Sequence, residues 1–253
     1  MKVGDQMSLE SNTESLQNIL DTVNNLPNAR LTSAVKYYVS SSGNDSNAGT
    51  QDAPFKTINH ALEILPKDLG GCKTTIQALS DISERISISY FFDGILEINM
   101  GSYVLTGGVH GKYVLADIRM VGNTYTAESS PSGQVIQFYS CFSVTLWPYS
   151  GTTITVNCGG GMGLDAYNST VFLNTSPSNS IVFNNSSCCV YAKASKVSVG
   201  GILSISIAEI AISAQQAAII ALSQTPTFSD VTTKYAYQGG LIITGSTVNP
   251  PST

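Results

Sequence analysis

Between Lys73 and Thr244 the chain is written in short apolar-rich runs separated by Gly, Asn, Asp and Ser. The runs fall at residues 75–79, 86–89, 95–99, 103–106, 113–121, 134–139, 143–147, 152–157, 170–173, 180–183, 190–192, 196–199, 202–207, 209–213 and 240–244. Most have the length of strands, turn chemistry follows each, and no helical period intervenes. A stack of strands is therefore predicted rather than alternating βαβ units. In Ile202-Leu203-Ser204-Ile205-Ser206-Ile207 the alternation puts Leu203, Ile205 and Ile207 on one face and the serines on the other. Residues 208–222 carry two readings, because Ile210, Ala214, Ala217 and Leu222 suit a helix as well as two strands. Around Asn168, Asn174, Asn179, Asn184 and Asn185 the expectation is polar turns with stacked amides, Asn being tolerant of left-handed backbone.

Two earlier segments break this pattern. Ile58, Ala61, Leu62 and Leu65 fall at helical spacing, with Asn59, His60 and Glu63 on the opposite face. The spacing predicts a short amphipathic helix within residues 54–66, starting near Thr57 and stopped by Pro66, which pushes Leu65 out of the helical region. Such a helix is marginal alone and needs an apolar surface to lie on. The uncovered end of a strand stack supplies one, so the helix is expected to cap it. Upstream, Leu9, Leu16, Ile19, Val23 and Leu26 fit a heptad seam that Pro27 ends, before a linker-like stretch to Ser33. Two heptads do not hold a helix by themselves, so the seam is expected to be buried between copies of the chain, as a homotrimer. The alternative is a single helix lying on its own solenoid. Residues 1–33 are thus assigned to anchoring or oligomerisation and residues 34–253 to the strand stack.

Residues 37–66 have a further property. Their sequence, Tyr-Tyr-Val-Ser-Ser-Ser-Gly-Asn-Asp-Ser-Asn-Ala-Gly-Thr-Gln-Asp-Ala-Pro-Phe-Lys-Thr-Ile-Asn-His-Ala-Leu-Glu-Ile-Leu-Pro, resembles the entry segment of the pectate-lyase-like right-handed parallel β-helix superfamily. The resemblance extends over residues 35 to about 125 and implies an all-β, right-handed parallel β-helix behind an N-terminal capping helix. It implies little about activity, since lyases, hydrolases, tailspikes and inert fibres share this start.

Composition narrows the functional classes. Charged residues make up 11% of the 253 residues, well below the roughly 25% of ordinary globular domains. Stacked strands with hydroxyl- and amide-rich turns account for that. Net charge is −5, and beyond Arg119 the only cations are Lys193, Lys196 and Lys234, so no basic stripe exists to neutralise nucleic-acid phosphates. The first residues lack the apolar core of a secretory signal, and the most apolar stretch, 201–222, is interrupted by Glu209, Gln215 and Gln216, so membrane insertion is not expected. Cys72, Cys141, Cys158, Cys188 and Cys189 read as free thiols, and with only His60 and His110 to join them neither a metal nor another cofactor is expected.

Enzymes of the resembled superfamily mostly degrade acidic polysaccharides, by calcium-assisted β-elimination or by acid/base hydrolysis. The clustered Asp pairs and the Gly-His-Gly and Arg-Ile-Lys motifs of polygalacturonases are missing here. The best available catalytic set is Glu97 with Asp117, one coil apart, and Lys112 or Arg119 as the base of a lyase. His110 reads as a solvated turn residue. For binding, aromatic residues gather at Tyr139, Phe142, Trp147 and Tyr149. Trp147 with Tyr149, and Tyr235 with Tyr237, are candidate sugar platforms.

A heptad segment followed by a capped β-helix resembles bacteriophage tail or head fibres and spikes. The expected function is then a non-enzymatic structural virion appendage, assembled in the host cytoplasm. It would join other virion proteins through residues 1–33 and present its solenoid to a host surface glycan. A polysaccharide depolymerase tailspike and a bacterial surface adhesin are the alternatives.

Overall fold

The computed structural model describes residues 30–126, 133–149, 153–173, 176, 178–245 and 247–248. The heptad positions Leu9, Leu16, Ile19, Val23 and Leu26 lie outside these described residues.

Beyond the entry loop and helix, the described chain winds as a parallel β-solenoid whose coils return every 20 to 31 residues, building three sheets. In the first sheet, Val39, Ala78 and their neighbours start a stack in which Ile76, Ile98, Met120, Leu146, Leu173, Val199 and Leu222 lie directly over one another. The second sheet stacks Ile82, Leu105, Tyr125, Val156, Phe183, Ile205 and Phe228. The third stacks Ile86, Val109, Ile136, Leu164, Val190, Ile212 and Tyr235. Seven rungs in each of the last two give about seven turns. These inward columns form one continuous core, and each fully buried Ile, Leu or Val in it contributes about 1.5–3 kcal/mol.

Like residues stack on like because successive rungs are identical in geometry, and exceptions are matched by their neighbours. Gly111 lies in the inward column between Ile88 and Phe138, and a Cβ there would sit 2.4 Å from Phe138 Cδ1. The missing side chain is the space the Phe138 ring occupies. Corners are turned by left-handed residues at equivalent places in successive coils, among them Ser140, Asn168, Ala194 and Gln216. Asn185, Ile207 and Asp230 turn another corner in the same way.

Helix α1, Ile58–Ile64, opens on Thr57, whose hydroxyl accepts from the His60 amide, and ends where Leu65 turns extended before Pro66. Ile58, Ala61 and Leu62 are buried, and the helix packs on the strands Val35–Val39 and Ile86–Ser89. The carboxylate of Asp45 holds the approach, accepting from the Lys56 and Thr57 amides at 2.8 and 2.9 Å.

One sequence expectation is corrected and one open reading is settled. Ile207 does not join Leu203 and Ile205 on the inward face. The chain turns its corner there at φ 54°, leaving Ile207 58% exposed and Ala208 buried. Residues 208–222 contain no helix but the end of the strand Ile202–Gln215, a left-handed turn at Gln216 and Ala217, and the strand Ile219–Leu222. Coil spacing decides it, placing Ile212 beside Val190 and Ile220 beside Val197. All five cysteines are free, and burial pushes the thiols of Cys141 and Cys158 up to about 11 and that of Cys188 up to about 12.

Candidate functional site

On the outward face of the third sheet two adjacent columns bring together His, Asp, Gln, Tyr and Lys side chains from successive coils. One runs Ser87, His110, Gln137, Asp165, Tyr191 and Ser213. Its neighbour, two residues further along each strand, runs Ser89, Lys112, Tyr139, Tyr167, Lys193 and Gln215. Strand alternation fixes both as outward, because Ile88, Phe138, Ala166 and Ala192 between them face the core.

Asp165 is the centre of this ladder. Its Oδ2 accepts from Gln137 Nε2 at 2.9 Å and lies 3.5 Å from the Tyr139 hydroxyl, while its Oδ1 is buried without a donor. The residue is only 4% exposed although it faces outward, since long side chains on neighbouring rungs close over it. Burial raises its carboxyl above the ordinary value, against the hydrogen bonds from Gln137 and Tyr139 and the charge of His110. His110 is pushed the other way, mainly by burial and then by the charges of Arg85 and Lys112. Arg85 Nη2 reaches Gln137 Oε1 at 3.5 Å. The Tyr139 and Tyr167 rings stack at 5.3 Å and 20°, with His110 edge-on to Tyr139 at 6.1 Å and Lys193 Nζ 4.6 Å over Tyr167. Tyr191 donates to Gln215 Oε1 at 2.8 Å.

This geometry decides how a ligand can be held. The ring faces are covered by one another and by His110 and Lys193, so no flat platform for stacking is left open. What the face offers is a row of hydroxyl, amide and ammonium tips over a buried carboxylate, a surface suited to hydrogen-bonding a polyhydroxylated ligand. Neither column holds a second carboxylate among the described residues, so paired-carboxylate hydrolysis has no partner for Asp165 here.

The residues singled out from sequence are distributed otherwise. Glu97 and Arg119 are register partners on the first sheet, and Asp117 lies two residues before Arg119 on the same outward face. Each carboxylate is engaged: Glu97 pairs with Lys73 at 2.7 Å, and Asp117 with Arg119 at 2.9 Å while also accepting from Ser143 at 2.8 Å. Lys112 lies on the third sheet in the ladder, extended over Tyr113. Trp147 ends a first-sheet strand, and the amide of Tyr149 just beyond it donates to Asn123 Oδ1. Tyr139 and Phe142, near them in sequence, lie on the third sheet and at the next corner, so the four rings form no common platform. Tyr235 and Tyr237 continue inward columns in the last rung, where they pack on the core.

Asp165, Gln137, Tyr167, Tyr191 and Lys193 were missed as a site. Their signal was the recurrence of polar and aromatic residues at the coil spacing of 26 to 28, which adjacency in sequence conceals. Two surface depressions, of about 410 and 360 Å³, follow the corners, where serines such as Ser169 and Ser186 already bond the backbone. Comparison with family models, with curated proteins and with solved structures finds no match.

Proposed function

We propose that this protein is a non-enzymatic recognition element, a right-handed, pectate-lyase-like β-helix of a bacteriophage tail or head fibre that binds a host surface glycan through the ladder of its third sheet. The observation that carries the reading is the outward ladder itself, in which His110, Lys112, Tyr139, Tyr167, Tyr191 and Lys193 line up at the coil spacing over the buried Asp165. In this reading helix α1 caps the solenoid core, residues 1–33 join copies of the chain and other virion proteins, and the particle is assembled in the host cytoplasm. Arg85, Lys112 and Lys193 border the ladder of a chain with net charge −5, which favours an acidic glycan. A depolymerase is disfavoured by the engaged state of Glu97 and Asp117.

The test is binding of the full chain to a panel of bacterial surface polysaccharides, followed by Lys193→Ala and Tyr167→Ala. A charge-assisted hydrogen bond is worth about 1.5–3 kcal/mol, so Lys193→Ala should weaken binding about tenfold or more. Unchanged affinity in both variants would remove the ladder as the site. Release of unsaturated uronates or new reducing ends, abolished by Asp117→Ala, would replace recognition by catalysis.

A further inference from the structure

One corner of the solenoid, between the third and first sheets, is unlike the others. In its first three coils it exposes Tyr90 (60%), Phe92 (42%), Tyr113 (49%), Leu115 (69%) and Phe142 (70%). Tyr90 and Tyr113 stack on each other at 5.9 Å, so the side chains form one ridge along the solenoid axis rather than scattered contacts. Further along, the same corner is turned by Asn168, Ala194, Gln216 and Ala217, and the ridge ends. Isolated apolar side chains on a surface need no explanation, but five large ones in three adjacent coils mark a surface that is covered in use.

We infer that this ridge is where copies of the chain pack side by side, which rests on the self-association expected of residues 1–33. The occupant is identified by where the chain enters the solenoid. Arg30 bridges to Asp68, Asp68 pairs with Phe92, and Arg30 Nη2 bonds Asp93 Oδ2 at 3.0 Å, so the chain arrives directly on the corner that carries the ridge. The heptad-spaced Leu9, Leu16, Ile19, Val23 and Leu26 end four residues before that point. In the self-association expected of residues 1–33, a parallel seam would hold the Arg30 positions of the copies at one height and near one axis. The same three coils of each copy then face that axis, and a rotationally symmetric assembly sets like surface against like. The ridge fades with distance from the seam, as a contact organised from that end requires.

Sedimentation velocity of the full chain and of a Leu115→Lys, Phe142→Lys double variant tests the inference. Both residues are exposed in the single chain, so the variant should melt within a few degrees of the parent. The parent should sediment as a closed oligomer and the variant should self-associate at least tenfold more weakly. A variant that keeps its fold and associates as strongly as the parent overturns the inference. So does a parent that is monomeric at tens of micromolar, which would leave the ridge to an unlike partner. Glycan affinity of single chains, measured on the same samples, reports on the ladder alone and separates failure of the ridge from failure of the recognition reading.

Discussion

Asp165 concentrates the cost of this surface in one side chain. An outward residue of a sheet ordinarily keeps its charge in water, but here Gln137, Tyr139 and Tyr191 leave its carboxylate almost no solvent. Burial raises the carboxyl's affinity for its proton in the native chain above that in the unfolded chain. The stability gained from that shift is fully present below the unfolded value and is lost as pH rises through the raised native value. Asp165→Asn stays neutral throughout. Its melting temperature relative to the parent should therefore climb between pH 4 and pH 7, as thermal melts at several pH values would register. A difference that is flat with pH would mean that the carboxylate carries no such penalty. In sequence Asp165 falls between the runs 152–157 and 170–173, and neither its strand nor its burial is legible there, because both are created by residues one coil away on either side.

Along the corner between the third and first sheets, successive turns are joined by a chain of serines. Ser169 Oγ accepts from the Cys141 amide and lies within donating distance of the Tyr167 and Phe138 carbonyls, while Ser195 Oγ accepts from the Ser169 amide and donates to the Lys193 carbonyl. Each hydroxyl closes its own turn and satisfies the amide of the coil before it. A second ladder, Asn157 to Asn184 to Ser206, runs along the second sheet. Ser195→Ala leaves the buried Ser169 amide without an acceptor, and a loss of about 1–3 kcal/mol is expected in denaturant unfolding. Ser198→Ala, half-buried on the neighbouring strand Lys196–Val199, should cost far less. At this scale the sequence was readable where signals are local. The helical spacing of Ile58, Ala61 and Leu62, the stop at Pro66 and the left-handed Asn168 and Asn185 all depend on residues within a turn of one another. The reading stayed open at 208–222, where Ala-rich alternation is compatible with both periods, and failed at Ile207, where a β-branched residue turns a corner that sequence assigns to Gly or Asn.

The whole molecule is a one-dimensional stack, and its stability should be graded along its axis. A coil in the middle is hydrogen-bonded on both sides and shares its inward columns with two neighbours, whereas an end coil has one neighbour. At the start, the described chain places helix α1 beside the first coils. Among the described residues, the strand Thr227–Gln238 bonds Ile202–Gln215 on one edge only, and all of its residues are exposed or half-buried. Phe228, Val231, Tyr235 and Tyr237 only partly shield the core there, while Leu203, Ile205 and Ile212 one rung back are fully or almost fully buried. Opening the last rung therefore exposes much less apolar surface than opening one in the middle. Native-state hydrogen exchange should find the amides of Thr227–Gln238 and Leu241–Thr244 exchanging by local opening, at least tenfold faster than those of Ser180–Lys193. Uniform protection from Val109 to Thr244 would instead require the last rung to be covered as well as the middle ones are.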